Sequence, residues 1–311
     1  MKIYDCFVFF NELDLLEIRL KTYYDKVDYF VLCECSKTQQ GKDKPYYYEE
    51  NKTRFEKFAD KIIHIKADKP PILKNKRDWS IEFYQRECIE QGIRNARSND
   101  LIIISDLDEF YSYEVLNFFK NNNNKRKASP NVNLKISKRF ILKQLPNYIK
   151  ALFMPVFKLI NFTPITIDQN FSYFFMNYSF PKNKWNGSVF TLKKNIKTIQ
   201  YLRNFRNFYP VIRCQENEQL GWHFSYLGGR EQIKKKLNSI IEGGYEFNFK
   251  GDINKYIDDC LENRKDLFDN RGEEYSNIDL LSIKELQFPN VEEIAIEYPQ
   301  FFYKTRQKKN S

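Results

Sequence analysis

The chain has 311 residues, 42% of them hydrophobic and 17% aromatic, with 28 Phe and 21 Tyr. That is long enough for one large α/β domain or two small ones, and too apolar for a disordered chain. The net charge of +10 is unevenly spread: residues 115–215 hold 18 Lys and Arg against one acid, Asp168, so this stretch carries +17 and the rest of the chain −7. Such a field attracts anions, whether nucleotide phosphate, anionic lipid, charged glycan or nucleic acid. No stretch reaches about 18 apolar residues, so no spanning helix is expected. Residues 1–10 are apolar, but Asp5 interrupts them and Asn11-Glu12 follow, which does not read as a secretory signal. A cytoplasmic protein is expected. The cysteines at 6, 33, 35, 88, 214 and 260 are scattered like reduced, buried thiols rather than a disulfide framework.

In chain order, residues 2–10 read as a first strand. Residues 11–20 open a helix with a leucine and isoleucine stripe and acids in its first turn. Residues 27–34 form a second strand, 55–58 a short helical piece and 61–66 a third strand. A helix over 79–96 precedes a strand from Leu101. Strands alternating with helices to about residue 110 are the pattern of parallel βαβ units. The asparagine-rich run 121–130 is loop sequence. Residues 171–180, 188–192 and 197–202 read as strands of mixed orientation, and 231–242 and 252–265 as helices. Between 137 and 162, apolar residues fall at helical spacing among lysines and arginines. That segment reads as a core-facing helix pair or a basic amphipathic helix at a membrane interface.

The run Leu101-Ile-Ile-Ile-Ser-Asp-Leu-Asp-Glu-Phe110 carries the strongest chemical signal. Its apolar, β-branched start is a buried strand, and open α/β sheets bind ligands just beyond strand carboxyl ends. Asp106 and Asp108, spaced i, i+2 at such an end, can share one divalent cation and the diphosphate it neutralises. The plainer reading is a strand stop and a cap for a helix starting near Tyr113. A second segment, Leu220-Gly-Trp-His-Phe-Ser-Tyr-Leu-Gly-Gly229, sets His223 among aromatics and glycines. A neutral imidazole there completes a metal shell or binds phosphate, or is simply a satisfied core histidine. His64 lies inside a strand pattern and is expected to be structural. Cys33-Glu-Cys35 lacks a second ligand pair, so zinc is not expected there.

Several segments together resemble glycosyltransferase family 17: residues 5–20; Trp79-x-x-Glu82 with Gln85-Arg86; Ile103 to Glu109; Lys184-Trp-Asn-Gly-Ser188; and Gly221 to Gly229. The resemblance implies a single GT-A-like α/β domain, a mostly parallel twisted sheet flanked by helices. Residues 1–114 form its nucleotide-binding half, 115–183 a basic amphipathic helical insertion at the acceptor region, and 184–311 the remainder. It further implies a nucleoside-diphosphate sugar donor (a UDP-sugar first, N-acetylglucosamine among the sugars), Mn²⁺ or Mg²⁺, and net inversion. Carried over by residue, Asp106, Asp108 and His223 would hold the metal, with Glu109 supporting them. Asn11, Glu12, Arg86, Asp106, Trp185 and Gly187 would hold the donor. Residues 115–183 depart from the family, so the acceptor is expected only to be a glycan or a lipid-linked hydroxyl, with a peripheral anionic membrane contact and no nucleic acid. A microbial or viral source is expected.

Direct displacement needs a base on the face opposite the leaving diphosphate. Asp168, Glu216 and Glu218 are the candidates, although a positive field around Asp168 weakens it as a base. Two other functions compete. A non-catalytic basic module would bind nucleic acid or membrane but leaves the paired aspartates unexplained. A nucleotidyltransferase would use the same aspartates with attack at phosphorus.

Overall fold

A computed structural model describes residues 1–121, 132–135, 160–161, 163–209, 211–214, 219–245, 247, 251–268 and 278–304. The expected strand and helix alternation is present in the first third. β1 (Ile3–Phe9), α1 (Leu13–Tyr23), β2 (Tyr29–Cys35), the short α2 (Tyr47–Glu50), β3 (Ile62–Ala67), α3 (Ser80–Gly92) and β4 (Leu101–Asp106) follow in order. β3, β2, β1 and β4 pair in that order and all in parallel. β4 runs Leu-Ile-Ile-Ile with every one of these side chains fully buried, as a strand covered on both faces must be.

Beyond β4 the sheet is mixed, which corrects the expectation of a mostly parallel one. β10 (Val189–Leu192) lies antiparallel to β4 and to β7 (Ile165–Ile167). β11 (Val211–Cys214) runs parallel to β7, and β6 (Val132–Lys135) closes the eight-stranded sheet antiparallel to β11. A second sheet of five strands has the order β13 (Asp279–Leu280), β9 (Tyr178–Trp185), β8 (Gln169–Tyr173), β12 (Gly221–Ser225), β5 (Glu109–Tyr111). Among the described residues, the further α-helices are α4 (Tyr113–Asn121), α5 (Ile199–Asn204), α6 (Gly229–Leu237), α7 (Ile241–Tyr245), α8 (Ile253–Asn263) and α9 (Val291–Glu297).

Three local expectations differ, each for a visible reason. Residues 171–180 are not one strand: Phe174 adopts φ 68° and the chain turns back between β8 and β9. Residues 197–202 are β-branched enough to suggest a strand, but the Thr198 hydroxyl accepts the Tyr201 N–H at 3.1 Å and caps α5 instead. The helix expected over 231–242 breaks after Leu237. There the Gln40 amide donates to the carbonyls of Leu237 (3.0 Å) and Ile240 (2.8 Å) and satisfies the helix end. The amphipathic segment 137–162 lies almost entirely outside the described residues.

The cysteines at 6, 33, 35, 88 and 260 are buried free thiols, as their scatter suggested. His64 sits on β3 between Glu34 (3.5 Å) and Glu49 (3.3 Å), consistent with a structural role. Among the described residues, no helix is long and apolar enough to cross a membrane.

Candidate active site

β4 ends at Asp106 in the large sheet, and β5 begins at Glu109 in the small one. The Leu107-Asp108 turn is therefore the point where the chain passes between the two sheets. Arg19 holds it from behind. This fully buried side chain from α1 forms a two-pronged pair with Asp5 on β1, at 2.8 and 2.6 Å. It also donates to the Ser105 hydroxyl (2.7 Å) and to the carbonyls of Asp106 (3.3 Å), Leu107 (3.1 Å) and Glu109 (2.7 Å). Burial disfavours the guanidinium charge, but the Asp5 carboxylate more than restores it and its pKa is raised. With the turn's carbonyls drawn toward Arg19, the side chains of Asp106 and Asp108 face a cleft of about 470 Å³.

The two aspartates meet different partners. One Asp106 oxygen accepts from Arg86 at 3.1 Å and the other from Arg203 at 2.5 Å. Arg86 also pairs with Glu82 at 2.6 Å and donates to Gln200 at 2.9 Å. Arg203, on α5, grips both oxygens of the buried Glu109 (2.9 and 2.7 Å) and donates to the Gly187 carbonyl. Glu109 accepts in turn from the Trp185 indole N–H (2.7 Å) and the Asp106 N–H (3.0 Å). Burial alone would push the Asp106 carboxyl up. Arg203 and Arg86 outweigh it and hold the group at about 2.

Asp108 accepts from Lys236 at 3.0 Å and faces His223 Nε2 at 3.5 Å. Burial again opposes its ionisation, and Lys236 and His223 again prevail, so the carboxyl lies far below the usual range. The His223 ring packs against Trp185 (centroids 4.7 Å) and Phe171 (5.0 Å). Its Nδ1 is buried without a hydrogen-bond partner among the described residues. One strand-turn-helix unit supplies both partners of Asp108. β12 carries His223, a reversal with positive φ at Tyr226, Gly228 and Gly229 turns the chain, and α6 returns with Lys236. Only glycine fits at Gly221, where a Cβ would stand 2.5 Å from the Phe110 carbonyl on neighbouring β5.

The cleft gathers Glu12, Arg86, Asp106, Asp108, Trp185 and His223, all expected from sequence. Asn11 instead lines a smaller cavity of about 240 Å³, which shares Glu12, Asp108 and Lys236 with the cleft. Gly187 lies beneath the cleft wall rather than on it. Its N–H donates to Gln169 at 3.0 Å, and a Cβ there would overlap the Glu109 carboxylate. Asp168, between β7 and β8, is not among the residues lining the cleft. Glu216 and Glu218 lie outside the described residues. Sequence reasoning missed Arg19, Arg203, Arg206 and Lys236. Arg203 and Arg206 belong to the strongly basic stretch, and Lys236 follows the Gly-Trp-His turn, but linear sequence does not say which carboxylates they meet.

A divalent cation fits part of the expected donor set. Asp108 and His223 present an oxygen and a nitrogen close enough to share an ion, and such sites commonly complete their shell with substrate phosphate and water. Asp106 points into the same cleft with a guanidinium on each oxygen, Arg86 on one and Arg203 on the other. Among the described residues, no cluster of three His, Cys, Asp or Glu side chains is placed to enclose an ion by itself.

Residues 1–138 match the family model of Glycosyltransferase family 17. The β-1,4-mannosyl-glycoprotein 4-β-N-acetylglucosaminyltransferase of Homo sapiens is 32% identical over 116 residues, which are 35% of this chain and 22% of that protein. The Rattus norvegicus enzyme of the same name gives the same figures, and the Mus musculus enzyme is 31% identical over the same length. The chain thus spans about a fifth of the length of the curated relatives it matches. The resemblance read from sequence is upheld over residues 1–138, which contain the aspartate turn and Arg19. That stretch ends before the segments bearing Trp185, Arg203 and His223.

Proposed function

We propose that the chain is an inverting glycosyltransferase that moves a sugar from a nucleoside-diphosphate donor to a glycan or lipid-linked hydroxyl at this cleft. The observation that carries the reading is the Asp106–Asp108 turn, at the junction of two sheets, opening onto a cleft lined with paired cations and aromatics. The family match over the same turn supports it. The names of the relatives make N-acetylglucosamine the first sugar to test, and the resemblance read from sequence makes a UDP-sugar the first donor. GT-A character and a single catalytic domain belong to the same reading.

Asp108 and His223 would hold Mn²⁺ or Mg²⁺. When bound, the ion supplies neutralisation of charge on the leaving diphosphate. The chain's own residues do the rest. Arg203 locks Asp106, Glu109 and, through Glu109, Trp185 into one rigid wall, so the cleft is preorganised before substrate arrives. The acceptor oxygen bonds to the anomeric carbon from the face opposite the diphosphate. The carbon–oxygen bond to phosphate breaks, its electron pair leaves with the phosphate, and the acceptor's proton passes to a carboxylate. Glu216 and Glu218, which precede β12 in sequence, are the proposed bases. Asp168 is set aside, because it is not on the cleft wall.

The experiment is a thermal-shift screen of nucleotide sugars with and without Mn²⁺, followed by product analysis. Saturating donor at a hundred times its Kd should stabilise the fold by about 2.7 kcal/mol. Stabilisation by no nucleotide sugar, with or without the cation, would overturn the reading. Transfer of the nucleotidyl group instead of the sugar would move the chain to nucleotidyl transfer.

A further inference from the structure

Six cationic side chains line the cleft: Lys37, Lys44, Arg86, Arg203, Arg206 and Lys236. Five of them have a carboxylate within ion-pair distance. Lys37 pairs with Asp43 (2.5 Å), Lys44 with Glu34 (3.2 Å), Arg86 with Glu82 and Asp106, Arg203 with Asp106 and Glu109, and Lys236 with Asp108. Arg206 stands apart: among the described residues it has no carboxylate partner. It donates to the Arg203 carbonyl at 3.2 Å, and its guanidinium sits 5.1 Å from the Trp185 ring centroid.

We propose that Arg206 is the cleft's phosphate-recognising residue, held by Trp185 to take the diphosphate of the donor. This rests on the reading of the cleft as a donor site and names the group that binds the donor's charged part. Three observations lead to it. The first is the missing direct partner: among the described residues no carboxylate lies within ion-pair distance of this guanidinium, so an anion entering the cleft can bond to it without displacing one. Burial and the neighbouring Arg203 disfavour its charged form and outweigh the more distant Glu109 and Asp106, which favour it. The second is preorganisation. Arg206 follows Arg203 by three residues on the turn continuing α5, which sets both on one face. The Trp185 ring beneath the guanidinium is itself fixed by its N–H on Glu109. A planar fork held in this way gives up little further freedom when it meets phosphate oxygens. The third is chemistry: a guanidinium matches phosphate in paired, charge-assisted bonds as a lone ammonium cannot.

The test measures UDP, GDP and the corresponding nucleosides by calorimetry in EDTA, so that no divalent cation contributes. In wild type a diphosphate should bind at least tenfold more tightly than its nucleoside. Arg206→Gln should reduce diphosphate affinity tenfold or more and leave nucleoside affinity unchanged, and Arg206→Lys should recover part of the loss. Thermal unfolding controls for folding, since Arg206 contributes one backbone hydrogen bond and a ring contact. An unchanged ratio of diphosphate to nucleoside affinity in Arg206→Gln overturns the assignment and leaves the donor site standing. Wild type that binds none of the four compounds in EDTA but binds the diphosphates once Mn²⁺ is added overturns the assignment to Arg206 and leaves the donor site standing; wild type that binds none of them under either condition removes the donor site as well.

Discussion

Arg19 and Asp5 form a fully buried ion pair, 2.6 Å at its shortest, that joins α1 to β1 and fixes the turn bearing the cleft aspartates. A buried pair of this kind is weak support for stability in itself, because desolvation offsets much of the attraction. Its larger effect is positional, since the guanidinium is the shared partner of three backbone carbonyls of the aspartate turn, those of Asp106, Leu107 and Glu109.

Removing either member alone should therefore be severe. Arg19→Met or Asp5→Asn should each cost about 3–5 kcal/mol, because each leaves the other charge buried and unpaired. The double variant should lose much less than the sum of the two. Urea unfolding of the four proteins gives the coupling directly, and strict additivity would show that the two residues do not act together.

Asp108 is not a free strand-end carboxylate but the counter-ion of Lys236. Asp108→Ala should cost about 1–3 kcal/mol by stranding the ammonium, where a solvent-facing aspartate would cost little. Asp108→Ala/Lys236→Met should regain most of that stability and still lack Mn²⁺-dependent nucleotide binding. Retention of cation-dependent binding in the double variant would end the assignment of Asp108 as a metal ligand.

The depressed carboxyl of Asp106 gives a pH signature. Its folded-state pKa, about 2, lies below the unfolded value near 3.8. The stabilisation is thus complete above about pH 4 and is lost as the pH falls toward 2. Asp106→Asn should reduce stability at pH 7 by about 1–2 kcal/mol, discounted for the carboxylate's contact with water. The difference from wild type should shrink between pH 4 and pH 2. A gap that stays constant down to pH 2 would mean that Arg86 and Arg203 do not stabilise this carboxylate.

Gly187 has no room for a side chain. Gly187→Ala must displace Glu109 or the strand beneath it, and the disturbance should pass to Arg203 and Trp185. The expected result is a folded protein, less stable by about 1–3 kcal/mol, with the fluorescence of Trp185 altered. Unaltered fluorescence and stability would show that Glu109 is not confined as described.

Linear patterns determined the first third of the molecule. Periodic apolar residues in α1 and α3 and the β-branched runs of β2 and β4 are local features, and each forms what its own sequence dictates. The same locality exposed the aspartate turn, because a strand end followed by paired carboxylates is legible without knowing its neighbours. His223 was legible for a similar reason, as glycines crowded around a histidine mark a bend. Tertiary structure alone decided the partners. Asp106 and Asp108 are two residues apart and read as equivalent, yet Arg86 and Arg203 take the first and Lys236 and His223 the second. Those partners lie 20 to 128 residues away along the chain. No local pattern encodes which distant cation reaches a given carboxylate, because that follows from how β4, β12, α5 and α6 pack. The switch of the chain from one sheet to the other at Leu107-Asp108, and the mixed pairing beyond β4, are long-range choices of the same kind.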